Sequence, residues 1–210
     1  MLMAKGKLIV FEGLDGSGKG TQIRLLAEKL RVRGVKVYET AEPTQSSTGG
    51  SVRDALAGLT PRTAYELSAM FLADRIFHNV NPKNGIAKYI EEGVTVICDR
   101  YYYSSFAYQG IDADLDWVMG LNLDCREIMR PDMCIFLDVD TKECDERISS
   151  GRLSREIYEN VQAQEKIRRR FFEVFDRLKD RENIRIIDAS GDAEKISQEI
   201  LKIYNEIGEK

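Results

Sequence analysis

The sequence predicts an α/β fold in which five parallel strands are flanked by helices. Three observations carry that expectation. Short, continuously apolar runs alternate with amphipathic stretches, the pattern of a parallel sheet covered on both faces. The glycine-rich segment GLDGSGKGT (13–21) follows the first apolar run and precedes an amphipathic stretch. A chain of 210 residues, 43% of them hydrophobic, suits one domain with a sizeable core.

The elements follow in order. Residues 7–13 (KLIVFEG) read as a buried strand, Gly18–Arg33 as a helix and 34–40 (GVKVYET) as the second strand. The Pro, Ser and Gly content of 41–50 (AEPTQSSTGG) predicts a loop. Thr63-Ala64-Tyr65-Glu66 is a capping-box pattern and opens a helix toward Val80. Strand three is 93–99 (GVTVICD), and a helix runs from Asp114 to Met129, stopping before Pro131. Strand four is 133–139 (MCIFLDV). Residues 151–156 (GRLSRE) interrupt two helical stretches, the second a long helix over Glu156–Lys179. Strand five is 184–188 (IRIID), and the tail is a last helix. No repeat, low-complexity tract or linker divides residues 1–210. In such a sheet, ligands belong at the carboxyl ends of the strands.

Composition excludes several function classes. A net charge of −4 leaves no broad basic surface for duplex DNA, so no nucleic-acid partner is expected. No apolar run approaches the ~20 residues of a membrane span, and MLMAKGKLIVFEG offers no secretory cleavage pattern. Cys98, Cys125, Cys134 and Cys144 show no CxxC spacing and read as reduced thiols of a cytoplasmic protein. With His78 as the single histidine, neither a histidine metal site nor a catalytic triad is expected.

Gly13–Lys19 fits G-x-x-x-x-G-K between a predicted strand and a predicted helix, the context of a P-loop. The expected ATP-binding segment is Gly13, Leu14, Asp15, Gly16, Ser17, Gly18, Lys19, Gly20 and Thr21. Its backbone N–H groups would face phosphates, and Lys19 would add charge at the β- and γ-phosphates. The position after Lys19, which normally supplies a hydroxyl to Mg2+, is Gly20, with Thr21 one place later. Magnesium is therefore expected through waters and nearby carboxylates. No guanine-reading N-K-x-D occurs, and the D-x-x-G at Asp188–Gly191 comes after the last strand, too late for a switch GTPase. A motor ATPase usually needs a larger core, so a small kinase suits the length best.

Strand three ends in Asp99-Arg100. Asp99 could hold magnesium or its waters, and Arg100 could neutralise transferring phosphate. Phe71 and Arg75 are four apart on one helical face, placed either to stack on and reach a base or to pack as core. Arg53 in SVRDAL carries no assignment by itself.

The loop, AEPT, MFLADR, CDRYYYSSFAYQG, LDWVMGLN, RPDMCIFLDVD and IDAS stand in the order and spacing of thymidylate kinases, which the chain resembles over residues 7–200. The resemblance implies a P-loop NTPase fold and the phosphorylation of dTMP to dTDP with ATP and Mg2+, in dTTP biosynthesis. It implies that Asp15 bonds the 3′-hydroxyl of dTMP and lies near magnesium, and that Phe71 stacks on thymine. Arg75 would contact the base carbonyl edge, Arg53 and Arg100 the acceptor phosphate, and Ser105 the base. Tyr108 would fill the space of a ribose 2′-hydroxyl. Related kinases pair as homodimers. Two departures stand out: Ala41 replaces an arginine common before Glu-Pro, and GKGT is similar to adenylate kinases. Alternatives are another monophosphate kinase, for UMP, CMP or AMP, and a non-catalytic nucleotide-binding regulator.

An acceptor monoester has a second pKa of about 6 and is already an anion, so no strong base is required. Members of the family with glycine at the place of Gly16 supply cations from a short lid, here 147–156 (RISSGRLSRE). Arg152 and Arg155 are its catalytic candidates, beside Lys19 and Arg100, with Arg147 as a further charge. Arg168, Arg169 and Arg170 read as a solvated face.

Overall fold

The computed structural model describes residues 5–149 and 161–207. Strand β1 (Leu8–Gly13) runs into helix α1 (Lys19–Val32), and β2 (Val37–Ala41) follows. Helices α2 (Ser47–Leu56), α3 (Ala64–Val80) and α4 (Ile86–Glu91) lead to β3 (Thr95–Asp99). Next come α5 (Tyr102–Tyr108), extended by a 3-10 turn through Ile111, and α6 (Leu115–Leu123). They are followed by β4 (Met133–Asp138), α7 (Thr141–Ser149), α8 (Val161–Leu178), β5 (Ile184–Asp188) and α9 (Ala193–Glu206).

The five strands form one parallel sheet, as expected, and their order is β2-β3-β1-β4-β5. Strand β1 lies at its centre and is buried throughout, which is why LIVFEG needs no polar alternation. Register aligns Phe11 with Asp99 and Gly13 with Leu137. The ends of β1, β3 and β4 therefore open on the same edge, where the phosphate loop begins. Helix α8 closes one face: Ile167, Phe171, Val174, Phe175 and Leu178 recur at helical spacing and are buried. Full burial of such side chains is worth ~1.5–3 kcal/mol each, and Phe136 meets Phe171 and Phe175 with ring centroids 4.9 and 5.0 Å apart.

Three expectations are corrected. The loop over 41–50 is too long, because α2 starts within it: Ser46 caps the helix by accepting from the Gly49 N–H at 3.2 Å. The helix from Asp114 ends at Leu123 rather than Met129. Arg130 Nη2 donates to the Leu123 carbonyl at 3.0 Å, and Asn79 Oδ1 takes the Met129 N–H at 3.1 Å, so side chains satisfy the turn's backbone. Arg168 is more than part of a solvated face: half-exposed, it grips both oxygens of Asp138 at 2.7 Å, at the carboxyl end of β4. The short helices α4 and α5 carry no signal strong enough for the sequence reading; YYSSFAY (102–108) is buried on all sides as a helix. Residues 156–160 of the long helix lie outside the described residues.

The capping box is present in full, with Thr63 accepting from Glu66 N and Glu66 from Thr63 N. All four cysteines are free; Cys98, Cys134 and Cys144 are buried and Cys125 is half-buried. Among the described residues no helix is long and apolar enough to cross a membrane.

Candidate active site

The phosphate loop is shaped by backbone that only glycine adopts without strain. Gly18 caps α1 in the left-handed region, at φ +91°. Gly16 has φ +84°, and a Cβ there would sit 2.5 Å from the Cys144 carbonyl oxygen of α7. Lys19 folds back over the loop: its Nζ donates to the carbonyls of Gly13 at 3.1 Å and Leu14 at 2.9 Å. Burial lowers its pKa, as does the nearby Arg100 charge, against the pull of Asp99, Asp15 and Glu12. Ser17 is buried beneath the loop, whereas Asp15, Gly16, Gly18, Lys19, Gly20 and Thr21 line a cavity of about 520 Å³.

The same cavity is also lined by Phe71, Arg75, Tyr108 and Arg53. One turn of α3 brings Phe71 and Arg75 to the same space, as their spacing predicted. Arg75 is fully buried and held on three sides: Nε donates to Glu42 Oε2 at 2.7 Å, Nη1 to Asn122 Oδ1, and Nη2 to Ser105 Oγ at 3.2 Å. Ser105 therefore reaches the cavity through Arg75, and Ser104 is the serine on the lining. Arg53 Nη1 donates to the Pro43 and Thr44 carbonyls. His78 Nδ1 lies 3.0 Å from Glu42 Oε1, and its Nε2 lies 2.7 Å from Thr40 Oγ1. The lone histidine is thereby a partner of Glu42, which lines the cavity, without lining it itself.

Arg100 also lines the cavity and touches both Asp15 of the loop and Tyr108. Its Nη2 meets Asp15 Oδ1 at 2.6 Å and its Nη1 meets Ser104 Oγ at 3.0 Å. The guanidinium carbon lies 5.1 Å from the Tyr108 ring centroid. Burial disfavours its charge, but Asp15 and neighbouring acids keep its pKa well above the ordinary value. Burial pushes the Tyr108 phenol up, so it stays protonated at neutral pH.

Asp99 Oδ1 is buried with no hydrogen-bond partner among the described residues. No group of three or more His, Cys, Asp or Glu suited to a metal occurs among those residues. A magnesium ion that keeps several waters needs only one or two carboxylates plus substrate phosphate oxygens, and the orphaned Asp99 oxygen fits that demand.

Sequence reasoning missed three contributors: Glu42, Asn122 and Glu12. Glu12 is wholly buried, and burial pushes its carboxyl up to about 7 against Arg100 and three hydrogen bonds. An acid within an otherwise apolar central strand was the available signal. Of the lid, Arg147 belongs to α7 and donates Nη1 to the Gly16 carbonyl at 3.2 Å. Arg152 and Arg155 lie outside the described residues.

The family model described as thymidylate kinase matches residues 11–200. A protein of Pyrococcus horikoshii named probable thymidylate kinase is 36% identical over 205 residues, covering 95% of this chain and 96% of its own. One of Methanococcus aeolicus, with the same name, is 37% identical over 200 residues, covering 93% and 94%. A solved structure of thymidylate kinase from Candida albicans superposes with a TM-score of 0.81 at 25% identity, covering 98% of this chain and 94% of the other.

Proposed function

The chain belongs to the thymidylate kinase family, and on that premise we propose how it transfers a phosphoryl group from ATP to dTMP, giving dTDP for dTTP synthesis. It is a nucleoside monophosphate kinase, and one observation carries the assignment of sides. One cavity is lined both by phosphate-loop residues, among them Asp15, Lys19 and Thr21, and by Phe71, Arg75 and Tyr108, with Arg100 of the same lining paired to Asp15 of the loop.

The ATP phosphates lie on the loop from Gly13 to Thr21, with Lys19 leaving the Gly13 and Leu14 carbonyls to meet them. Thymine stacks on Phe71, with Arg75 at its carbonyl edge and Ser105 acting through Arg75. Tyr108 occupies the space of a 2′-hydroxyl, and Asp15 takes the 3′-hydroxyl. Arg53 and Arg100 hold the acceptor phosphate, which is already an anion and needs no base. These residues align two polyanions for in-line transfer and neutralise their charge. When bound, Mg2+ supplies charge neutralisation at the phosphates; Asp99 and Asp15 would hold it through its waters. Arg152 and Arg155 of the 147–156 lid add cations over ATP, and the docking of Arg147 on the Gly16 carbonyl supports that side of the loop as the lid's seat.

We further read the enzyme as cytoplasmic, which its four free thiols support, and as a homodimer. The exposed Tyr65, Phe77 and Val80 of α3 and Trp117 of α6 support an apolar contact surface. The decisive experiment is ADP release with ATP, Mg2+ and a panel of monophosphates. Preferred turnover of dTMP is expected. Preferred AMP, CMP or UMP would reassign the acceptor, and binding without turnover would make the chain a regulator.

A further inference from the structure

We propose that Glu12 is a positioning residue for phosphoryl transfer: through Ser104 and the backbone of Tyr101 it sets Arg100 between the phosphate loop and the acceptor. This rests on the reading of Arg100 as a ligand of the acceptor phosphate.

The argument begins with an unusual backbone. Arg100 has φ +66°, the one non-glycine residue at positive φ among those described. For an L-residue that conformation is strained and persists only where the surroundings impose it. Two consecutive residues of β1 do so. The Arg100 N–H donates to the Phe11 carbonyl at 2.9 Å. The Tyr101 N–H donates to Glu12 Oε1 at 2.9 Å. The chain is thus tied to β1 on both sides of the strained φ.

Glu12 then reaches the side chain. Its Oε1 also accepts from Ser104 N at 3.1 Å, and its Oε2 from Ser104 Oγ at 2.6 Å. Three donors converge on one buried side chain, and the acceptor-only carboxylate form of Glu12, which predominates above about pH 7, takes them all. The single Ser104 hydroxyl proton is committed to Glu12, which turns the Ser104 lone pairs to Arg100 Nη1, 3.0 Å away. The residue after Glu12 is Gly13, where the phosphate loop starts and whose carbonyl meets both Lys19 and Arg100. The donor's loop and the acceptor's arginine are therefore registered by adjacent residues of one strand. A packing role alone would need no buried acid at this place.

Steady-state kinetics with dTMP and ATP test the proposal on Glu12→Gln, Ser104→Ala and the double variant. Glutamine keeps an acceptor for the two N–H groups but presents a donor to Ser104, which reverses the hydroxyl and turns its proton toward Arg100. A misplacement on the order of 1 Å can cost 10²-fold, so kcat/KM for dTMP should fall ~10–100-fold, with KM for ATP close to the parent's. Ser104→Ala should reproduce the dTMP-selective loss. The double variant should be no worse than the poorer single, because both cut one link. Parent-like kinetics of Glu12→Gln, or equal rises in both KM values, would overturn the proposal and leave Glu12 as a tie between β1 and α5; so would additive losses. Arg100→Met separates the two claims. If it retains the parent's KM for dTMP, the reading of Arg100 itself fails. If it loses dTMP while Glu12→Gln and Ser104→Ala do not, only the role of Glu12 falls.

Discussion

Glu42→Ala removes a carboxylate that two basic side chains face inside the protein. Arg75 Nε lies 2.7 Å from Oε2, with both side chains 1% exposed, and His78 Nδ1 lies 3.0 Å from Oε1. After the change, Arg75 keeps only the neutral oxygens of Asn122 and Ser105. Breaking a buried pair by removing one partner costs ~3–5 kcal/mol, mostly the penalty of the charge left behind. Against a total stability of ~5–15 kcal/mol, that is a large fraction. For a chain of this size each kcal/mol moves the melting temperature by ~2–4 °C, so a fall of about 6–20 °C is expected. KM for dTMP should rise as well, since Glu42 orients the guanidinium proposed to face the base. Calorimetry with and without dTMP measures both effects. The companion Glu42→Leu with Arg75→Met removes both charges and should recover part of the lost stability, though not dTMP binding. Melting of Glu42→Ala within ~2 °C of the parent would refute the reasoning, because an uncompensated buried guanidinium cannot be that cheap.

Other outcomes follow from the same geometry. Phe71→Ala should raise KM for dTMP more than for ATP; base–aromatic stacking is worth roughly 1–3 kcal/mol, and equal rises would point to a packing defect. Tyr108→Ala should narrow the kcat/KM ratio between dTMP and its ribo analogue, and an unchanged ratio would make Tyr108 packing alone. The Arg152→Ala, Arg155→Ala double variant should lose ~10–10³-fold in kcat with little change in KM; parent-like turnover would shift the catalytic charge to Arg147 or Arg100. Stability should also depend on pH through Glu12. Its folded pKa of about 7 exceeds the ordinary 4.5, so the native state binds more protons between those values. Its contribution is fully present below 4.5 and is lost as pH rises through 7, a change of roughly 3 kcal/mol at most. Denaturant titrations of the parent and Glu12→Gln across pH 5 to 8 should diverge by that sense, and parallel curves would contradict it.

Much of this was legible in the sequence because the signals were local. KLIVFEG followed by GLDGSGK names a strand, a loop and a helix start within twenty residues, and the loop's glycines are where positive φ is required. The Thr63–Glu66 box marked the start of α3, and from there helical spacing alone put Phe71 beside Arg75. What escaped were partnerships between distant residues. Nothing near Glu42 announces that it meets Arg75, thirty-three positions away, nor does Asn122 reveal that it supports the same guanidinium. The start of α2 was hidden by Gly49 and Gly50, poor helix formers that tolerate a helix here because Ser46 caps it. Arg168 resembled its solvated neighbours until Asp138 arrived from another element.

The distribution of thiols makes the protein convenient to watch. Burial raises the pKa of Cys98 and Cys134 well above the ordinary value and pushes Cys144 up to about 11, so all three are shielded from alkylation. Cys125, half-buried in the turn after α6, is the accessible one of the four. A maleimide fluorophore added to the unaltered chain therefore attaches at a single address. That address is three residues from Asn122, whose oxygen holds Arg75 at the base pocket. Emission from the dye would follow arrival of the acceptor nucleotide in real time, without engineering a cysteine in or out.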